Sequence, residues 1–366
     1  MTPDPTRADV SSRFLSRVAA SVDGMMLRAA RVVIDRTVMP PPARLDALRA
    51  SAAFYGEPEL LADPRRFFAF LDRPLATPPM TLARAWGAGR FALTFPSIYE
   101  PADPAYRPLH ARYVENHTAH VALWLHPEGR ARGTVIGLHG FGTGYPRFDA
   151  TALMVRPLHA AGLDVALSAL PFHGARTPRS SRFSGQILTA PNVPQINEAI
   201  GQAVHDLAVL LAWLRSRSNR PVGVIGLSLG GYVAALLAGL VPLDFVVPIA
   251  APVDLGELAF RFMRASRYYR DRPGAGLGRE ELRAAYRVHS PLAHAPIVPR
   301  ERLLIVAGRG DRVVPPKHAG WLWTHWAEPR IHWFTGSHLV PFGRSRILAA
   351  VWTFLHDLGV LPALGG

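Results

Sequence analysis

Gly226-Leu227-Ser228-Leu229-Gly230, with Gly231 directly after it, is the stretch on which the reading of this chain turns. The preceding Val222-Gly223-Val224-Ile225 is a short apolar run of strand character. The following Tyr232-Val233-Ala234-Ala235-Leu236-Leu237 has helical character. A serine between a strand and a helix, flanked by glycines, fits a sharp turn that lifts its hydroxyl clear of a sheet edge. Neighbours without a Cβ are what so tight a turn needs. The first N–H groups of the helix lie beneath that hydroxyl and favour developing negative charge. A chance G-x-S-x-G would carry neither the strand before it nor the helix after it. Ser228 is therefore the candidate nucleophile.

A serine hydroxyl is a weak nucleophile at neutral pH and needs a general base, most often histidine. In a serine, acid, histidine chain order the base comes last. His338 sits in Phe334-Thr335-Gly336-Ser337-His338-Leu339-Val340-Pro341, just past the last apolar strand, and Gly336 gives the backbone freedom to turn the imidazole back over the sheet. His332 lies inside that strand, His325 and His356 lie in helical patterns, and His289, His294 and His318 precede it. The acid expected is Asp311, in Ala307-Gly308-Arg309-Gly310-Asp311-Arg312-Val313-Val314-Pro315, after the strand-like Leu303-Leu304-Ile305-Val306. A carboxylate there can fix the imidazole tautomer and stabilise the imidazolium. It could equally cap the next helix. Asp254, at the end of Pro248-Ile249-Ala250-Ala251-Pro252-Val253-Asp254, is the competing acid.

Leu138-His139-Gly140-Phe141-Gly142-Thr143-Gly144 follows the apolar run Thr134-Val135-Ile136-Gly137. A glycine-rich turn here allows the N–H of Phe141 to join that of Leu229 in an oxyanion hole. His139 is read as structural. The segment lacks the lysine and the serine or threonine of a phosphate-binding loop. The long loop that starts at Leu170-Pro171-Phe172-His173-Gly174-Ala175-Arg176 is expected to wall the pocket with Phe172 and Phe183, with His173 and Arg176 bracing it.

Outward from these motifs, apolar runs near 89–95, 119–126, 133–139, 164–169, 222–227, 244–250, 302–307 and 330–334 alternate with helical patterns near 149–161, 195–216, 229–240, 312–327 and 344–358. The alternation predicts an α/β fold with an eight-stranded, mostly parallel, doubly wound sheet that starts antiparallel. Residues 1–85 read as an N-terminal helical extension, and 86–366 as the main domain with a lid-like segment at 255–300. That segment carries Phe260, Phe262, Met263, Tyr268 and Tyr269. Within the extension, 9–38 is a helix with Phe14, Val18, Val22, Met25, Met26, Ala29, Val33 and Val38 at helical spacing. This stripe is expected to pack on the main domain. Attachment to an anionic membrane surface through Arg13, Arg17, Arg28, Arg31 and Arg36 is the rival and the less favoured reading. Further helical patterns fall near 43–53 and 57–72.

The 366 residues are 49% hydrophobic and 19% charged, enough for a large core and too apolar for extended disorder. The chain has no cysteine, which excludes disulfides, thiolate metal sites and a cysteine nucleophile. Its net charge is +14, but the arginines are scattered and Lys317 is the only lysine. With no basic block and no nucleic-acid motif, nucleic acid is not an expected partner. No apolar run is long enough to span a bilayer, and Arg13, Arg17 and Asp23 interrupt any signal-like stretch. A cytoplasmic location is the default expectation.

Together, His139-Gly140, the Ser228 turn, Asp311 and His338, in this order, resemble the alpha/beta-hydrolase superfamily, over roughly residues 89–360 and in an esterase-like branch. The resemblance implies hydrolysis of an ester, thioester or amide with no cofactor, and it does not imply a substrate; a small-molecule acyl substrate and no metal are expected. Serine rather than aspartate at the turn argues against dehalogenase or epoxide-hydrolase chemistry. Carboxylic-ester cleavage through an acyl-serine is the leading expectation, with thioesterase and lipase variants nearest to it. A catalytically silent hydrolase fold acting as a binding or scaffold module is the alternative.

Overall fold

A computed structural model describes residues 10–37, 49–85, 87, 89–189, 192–265, 267, 271 and 276–362. Nine strands form one sheet: β1 (Thr81–Arg84), β2 (Arg90–Pro96), β3 (Thr118–Trp124), β4 (Gly133–Leu138), β5 (Leu163–Ser168), β6 (Val222–Leu227), β7 (Val246–Ile249), β8 (Leu304–Gly308) and β9 (Arg330–Phe334). Their spatial order is β1-β2-β3-β5-β4-β6-β7-β8-β9. The β1–β2, β2–β3 and β3–β5 pairs are antiparallel, and every pair from β5–β4 to β8–β9 is parallel. The mixed, mostly parallel sheet agrees with the sequence reading, with one strand more. Thr81–Arg84 lies inside the stretch expected to be helical; all four of its residues are exposed at the sheet edge, so it shows no apolar alternation to read.

The longer helices are α1 (Val10–Thr37), α2 (Pro146–Ala152), α3 (Val155–Ala160), α4 (Val193–Arg217), α5 (Leu229–Leu237), α6 (Leu255–Ala265), α7 (Arg279–Ala285), α8 (Lys317–His325) and α9 (Arg344–Asp357). The single helix expected over 149–161 is two, broken at Met154, whose φ of 56° is left-handed. Of the pattern near 43–53, residues 49–53 are described and helical; the rest, like Val38, Tyr268 and Tyr269, lies outside the described residues.

The central strands are buried on both sides, as a sheet covered on two faces requires. On one face Val204, Leu207, Tyr232, Leu236 and Leu322 of α4, α5 and α8 join Ile136, Val224 and Ile305 in a common core. On the other, Val155, Leu158, Phe354 and Leu355 of α3 and α9 pack with Val135, Ile225, Val247 and Val306. Buried Glu198 of α4 ties down the segment before β1: it accepts hydrogen bonds from Tyr55 Oη at 2.6 Å, and also from Tyr99 Oη at 2.5 Å and the backbone of Ala102 and Asp103 at 3.0 Å.

Helix α1 reverses one expectation. It does dock, but not by its apolar stripe. Phe14, Val18, Val22 and Met25 are exposed, whereas Ser16, Ala19, Ala20 and Asp23 are buried. The side chains of Met26, Ala29 and Val33 are outside the described residues. The surface that receives α1 consists of loop backbone whose N–H groups need acceptors, and buried N–H groups that stay unpaired are costly. The polar, small-residue face of α1 supplies those acceptors.

Candidate active site

Ser228 leaves β6 at φ 54°, ψ −113°, a conformation that a residue with a side chain adopts only under constraint. The constraint is visible at both flanks. A Cβ on Gly226 would lie 2.1 Å from the Gly230 carbonyl oxygen, and one on Gly230 would lie 2.2 Å from that of Leu138. Only glycine fits either position. The Ser228 N–H donates to the Ile249 carbonyl at 2.8 Å, which pins the turn to β7.

Asp311 lies three residues past β8 and His338 four past β9, and the two loops are joined by a bond from the Gly310 N–H to the Gly336 carbonyl at 2.8 Å. Gly336 has φ 126°, and a Cβ there would meet the Val340 carbonyl. The turn it allows brings His338 Nε2 to 2.9 Å from Ser228 Oγ and His338 Nδ1 to 2.7 Å from Asp311 Oδ2. An ionised carboxylate only accepts, so Nδ1 carries the proton and Nε2 is left as acceptor for the serine hydroxyl. The other Asp311 oxygen accepts from the Val314 N–H at 2.7 Å, so the carboxylate caps that turn as well as facing His338. Burial pushes the Asp311 carboxyl above the usual carboxylate range; the His338 hydrogen bond opposes this, and the nearby Asp23 charge adds to it.

Asp254, the competing acid, is elsewhere. Its Oδ2 pairs with Arg283 at 3.0 Å, and its Oδ1 accepts from the Glu257 N–H at 2.8 Å, capping α6.

The His139–Gly144 loop closes over the serine: a Cβ on Gly140 would lie 3.5 Å from Ser228 Cβ. Leu229 opens α5, so its N–H has no intrahelical partner, and no backbone bond engages the Phe141 N–H among the described residues. His139 is structural. Its Nδ1–H donates to the Gly140 carbonyl at 2.8 Å, and its Nε2 accepts from the Leu170 N–H at 3.0 Å. Arg176 is buried against Asp206 at 2.9 Å and braces the loop that follows β5. Phe183 is exposed; Phe172 is instead buried against Tyr113 and cannot wall a pocket with it. A cavity of ≈ 330 Å³ lies beside this loop, lined by residues such as Leu93, His120, His139, Asp149 and Leu153. Ser228, Asp311 and His338 are not among its walls.

One residue at this site has no mark in the sequence. Asp23 of α1 is fully buried and accepts four hydrogen bonds: from Ser337 Oγ at 2.8 Å, the His338 N–H at 3.0 Å, the Leu339 N–H at 3.1 Å and the Arg312 N–H at 3.0 Å. Ser16, two turns earlier, accepts from the Gly336 N–H at 3.1 Å. Both loops that carry the candidate acid and base are thus fastened to one helix.

The model of a family described as alpha/beta hydrolase domain containing 18 matches residues 110–254, which include Ser228. A Mycobacterium tuberculosis (strain H37Rv) relative, the uncharacterized protein Rv2627c, is 30% identical over 330 residues, spanning 86% of this chain and 75% of the relative. The chain belongs to the alpha/beta-hydrolase superfamily. Solved structures agree on the fold of this alpha/beta hydrolase. An acetyl xylan esterase from Paenibacillus sp. R4 is similar with a TM-score of 0.56 and 15% identity, over 82% of this chain and 99% of that one. Acetyl xylan esterase 1 from Thermoanaerobacterium sp. JW/SL YS485 also has a TM-score of 0.56, with 16% identity, over 88% and 99%. At such identities the likeness speaks for the fold alone.

Proposed function

We propose that the protein is a serine hydrolase that cleaves a carboxylic ester or thioester through an acyl-serine intermediate. The observation that carries the reading is the unbroken chain of hydrogen bonds from Ser228 Oγ through His338 to Asp311, with the serine at a positive φ between two strand-end loops. Membership of the superfamily and esterase-like folds among similar structures support it.

In this reading Ser228 Oγ attacks the acyl carbonyl carbon as its proton passes to His338 Nε2. Asp311 holds the opposite ring nitrogen as N–H and stabilises the imidazolium. The carbonyl oxygen, now negative, takes the N–H groups of Phe141 and Leu229. When the tetrahedral adduct collapses, His338 gives its proton to the departing alcohol or thiol, leaving acyl-Ser228. Water then repeats the sequence: it loses a proton to His338, displaces the acid, and the serine regains its hydrogen. Every step uses groups of this chain and needs no cofactor.

The test is labelling with a fluorophosphonate, which reacts with an activated serine. The wild-type chain should label at Ser228, and Ser228→Ala should not label. An unlabelled wild-type chain would instead mark a catalytically silent fold.

A further inference from the structure

The face of α1 turned away from the protein is left without a partner among the described residues. At 3.6 residues per turn, Phe14, Val18, Val22 and Met25 form one exposed stripe, with Leu15 at its edge. Phe14 and Met25 are 65% and 56% exposed. Arg13, Arg17 and Arg28, all exposed, line the border between that stripe and the buried Ser16–Asp23 face. An exposed strip of Phe, Val and Met with arginines along its edge is the pattern of a helix lying in a lipid–water interface: the apolar side chains enter the acyl region and the guanidinium groups stay at the headgroups. The charge of the whole chain, +14, adds to the attraction.

We propose that this face of α1 seats the protein on an anionic lipid surface. The same helix holds the site. Asp23 faces inward to the His338 loop, and Leu339, whose N–H it binds, is itself 45% exposed. Seating α1 on a surface therefore sets the candidate active site beside that surface, within reach of molecules held there. The four hydrogen bonds to Asp23 keep the helix and the loop in one unit, so docking requires no rearrangement of the site.

Co-sedimentation of the full-length chain with vesicles tests this without any hydrolysis, so its outcome is separate from labelling at Ser228. The protein should pellet with vesicles of phosphatidylcholine mixed with phosphatidylglycerol at low salt and much less at high salt or with phosphatidylcholine alone. Phe14→Ser combined with Val18→Ser should weaken partition by about tenfold or more, since both lose apolar burial. Arg13→Gln and Arg17→Gln should each weaken it by about fivefold. All four side chains are exposed, so the melting temperature should stay at the wild-type value; were the serine pair to melt lower, the arginine pair carries the test. A wild-type chain that stays in the supernatant overturns the proposal, as do variants that pellet like wild type. Gel filtration gives the remaining outcome: a wild-type dimer that the serine pair turns into a monomer, with no vesicle binding, assigns the face to a second copy and overturns it too.

Discussion

The carboxylate of Asp23 accepts the backbone N–H of His338 at 3.0 Å across 315 residues of chain. The bond is one of four on the same buried carboxylate, and the others come from Arg312, Ser337 and Leu339. Arg312 is the neighbour of Asp311, so one side chain on α1 bonds to both loops that bear the candidate acid and base. Asp23→Ala removes all four acceptor contacts without touching Ser228, Asp311 or the imidazole itself. The expected result is a fall in kcat of about a hundredfold, the scale of a misplacement of about 1 Å, with KM for a p-nitrophenyl ester little changed. Asp23→Asn should also be impaired, because its NH2 group must face N–H donors. A variant with wild-type kcat and a lowered melting temperature would show that Asp23 only fastens the helix.

The two aspartates proposed as acid from the sequence now have distinct surroundings, and these predict distinct phenotypes. Asp311→Asn keeps the shape but presents an amide to His338 Nδ1 and favours the wrong tautomer. It should lower kcat by about ten-thousand-fold. Asp254→Asn should spare kcat and lower the melting temperature, because it breaks the Arg283 pair and weakens the cap on α6. Steady-state kinetics on the two variants decide between them; a crippled Asp254→Asn beside a normal Asp311→Asn reverses the assignment.

How far such features can be read from sequence depends on how local their cause is. Ser228, Asp311 and His338 each follow a strand within a few residues and have a glycine close by, so strand ends and turn chemistry point to all three. The strands before Ser228 and Asp311 stand out because two-sided burial makes them continuous apolar runs. Thr81–Arg84 carries no such pattern because it is exposed throughout. Asp23 was illegible for a different reason: on a helix of mixed polarity it looks like a solvated charge until loops from the other end of the chain bring it four N–H or O–H donors. The same donors explain why α1 turned its apolar stripe outward. An apolar face could not have paired the N–H groups of Gly336, His338 and Leu339.

Stability should depend on pH through the buried histidines. Burial holds His173 and His289 down to about 3, and His139 and His318 down to about 4. In the unfolded chain each would titrate near about 6.5. Between those values the folded state binds fewer protons than the unfolded state, so stability rises with pH. The stabilising contribution is complete above the unfolded value and is lost as pH falls towards the folded one. Asp149, Glu198 and Asp311 have the opposite sign: burial raises them, so lowering the pH through their range relieves a cost. Each buried histidine should therefore cost about 1.4 kcal/mol per pH unit below its unfolded value. His289 is the sharpest test, because its ring is wholly buried between Tyr232 Oη at 2.6 Å and Asn197 Oδ1 at 2.8 Å, and burial disfavours the charged imidazolium. The melting temperature should fall from pH 7 to pH 5. His289→Gln should start lower at pH 7 but lose less over the same interval. Parallel curves for the two proteins would remove His289 from the account of the acid limb.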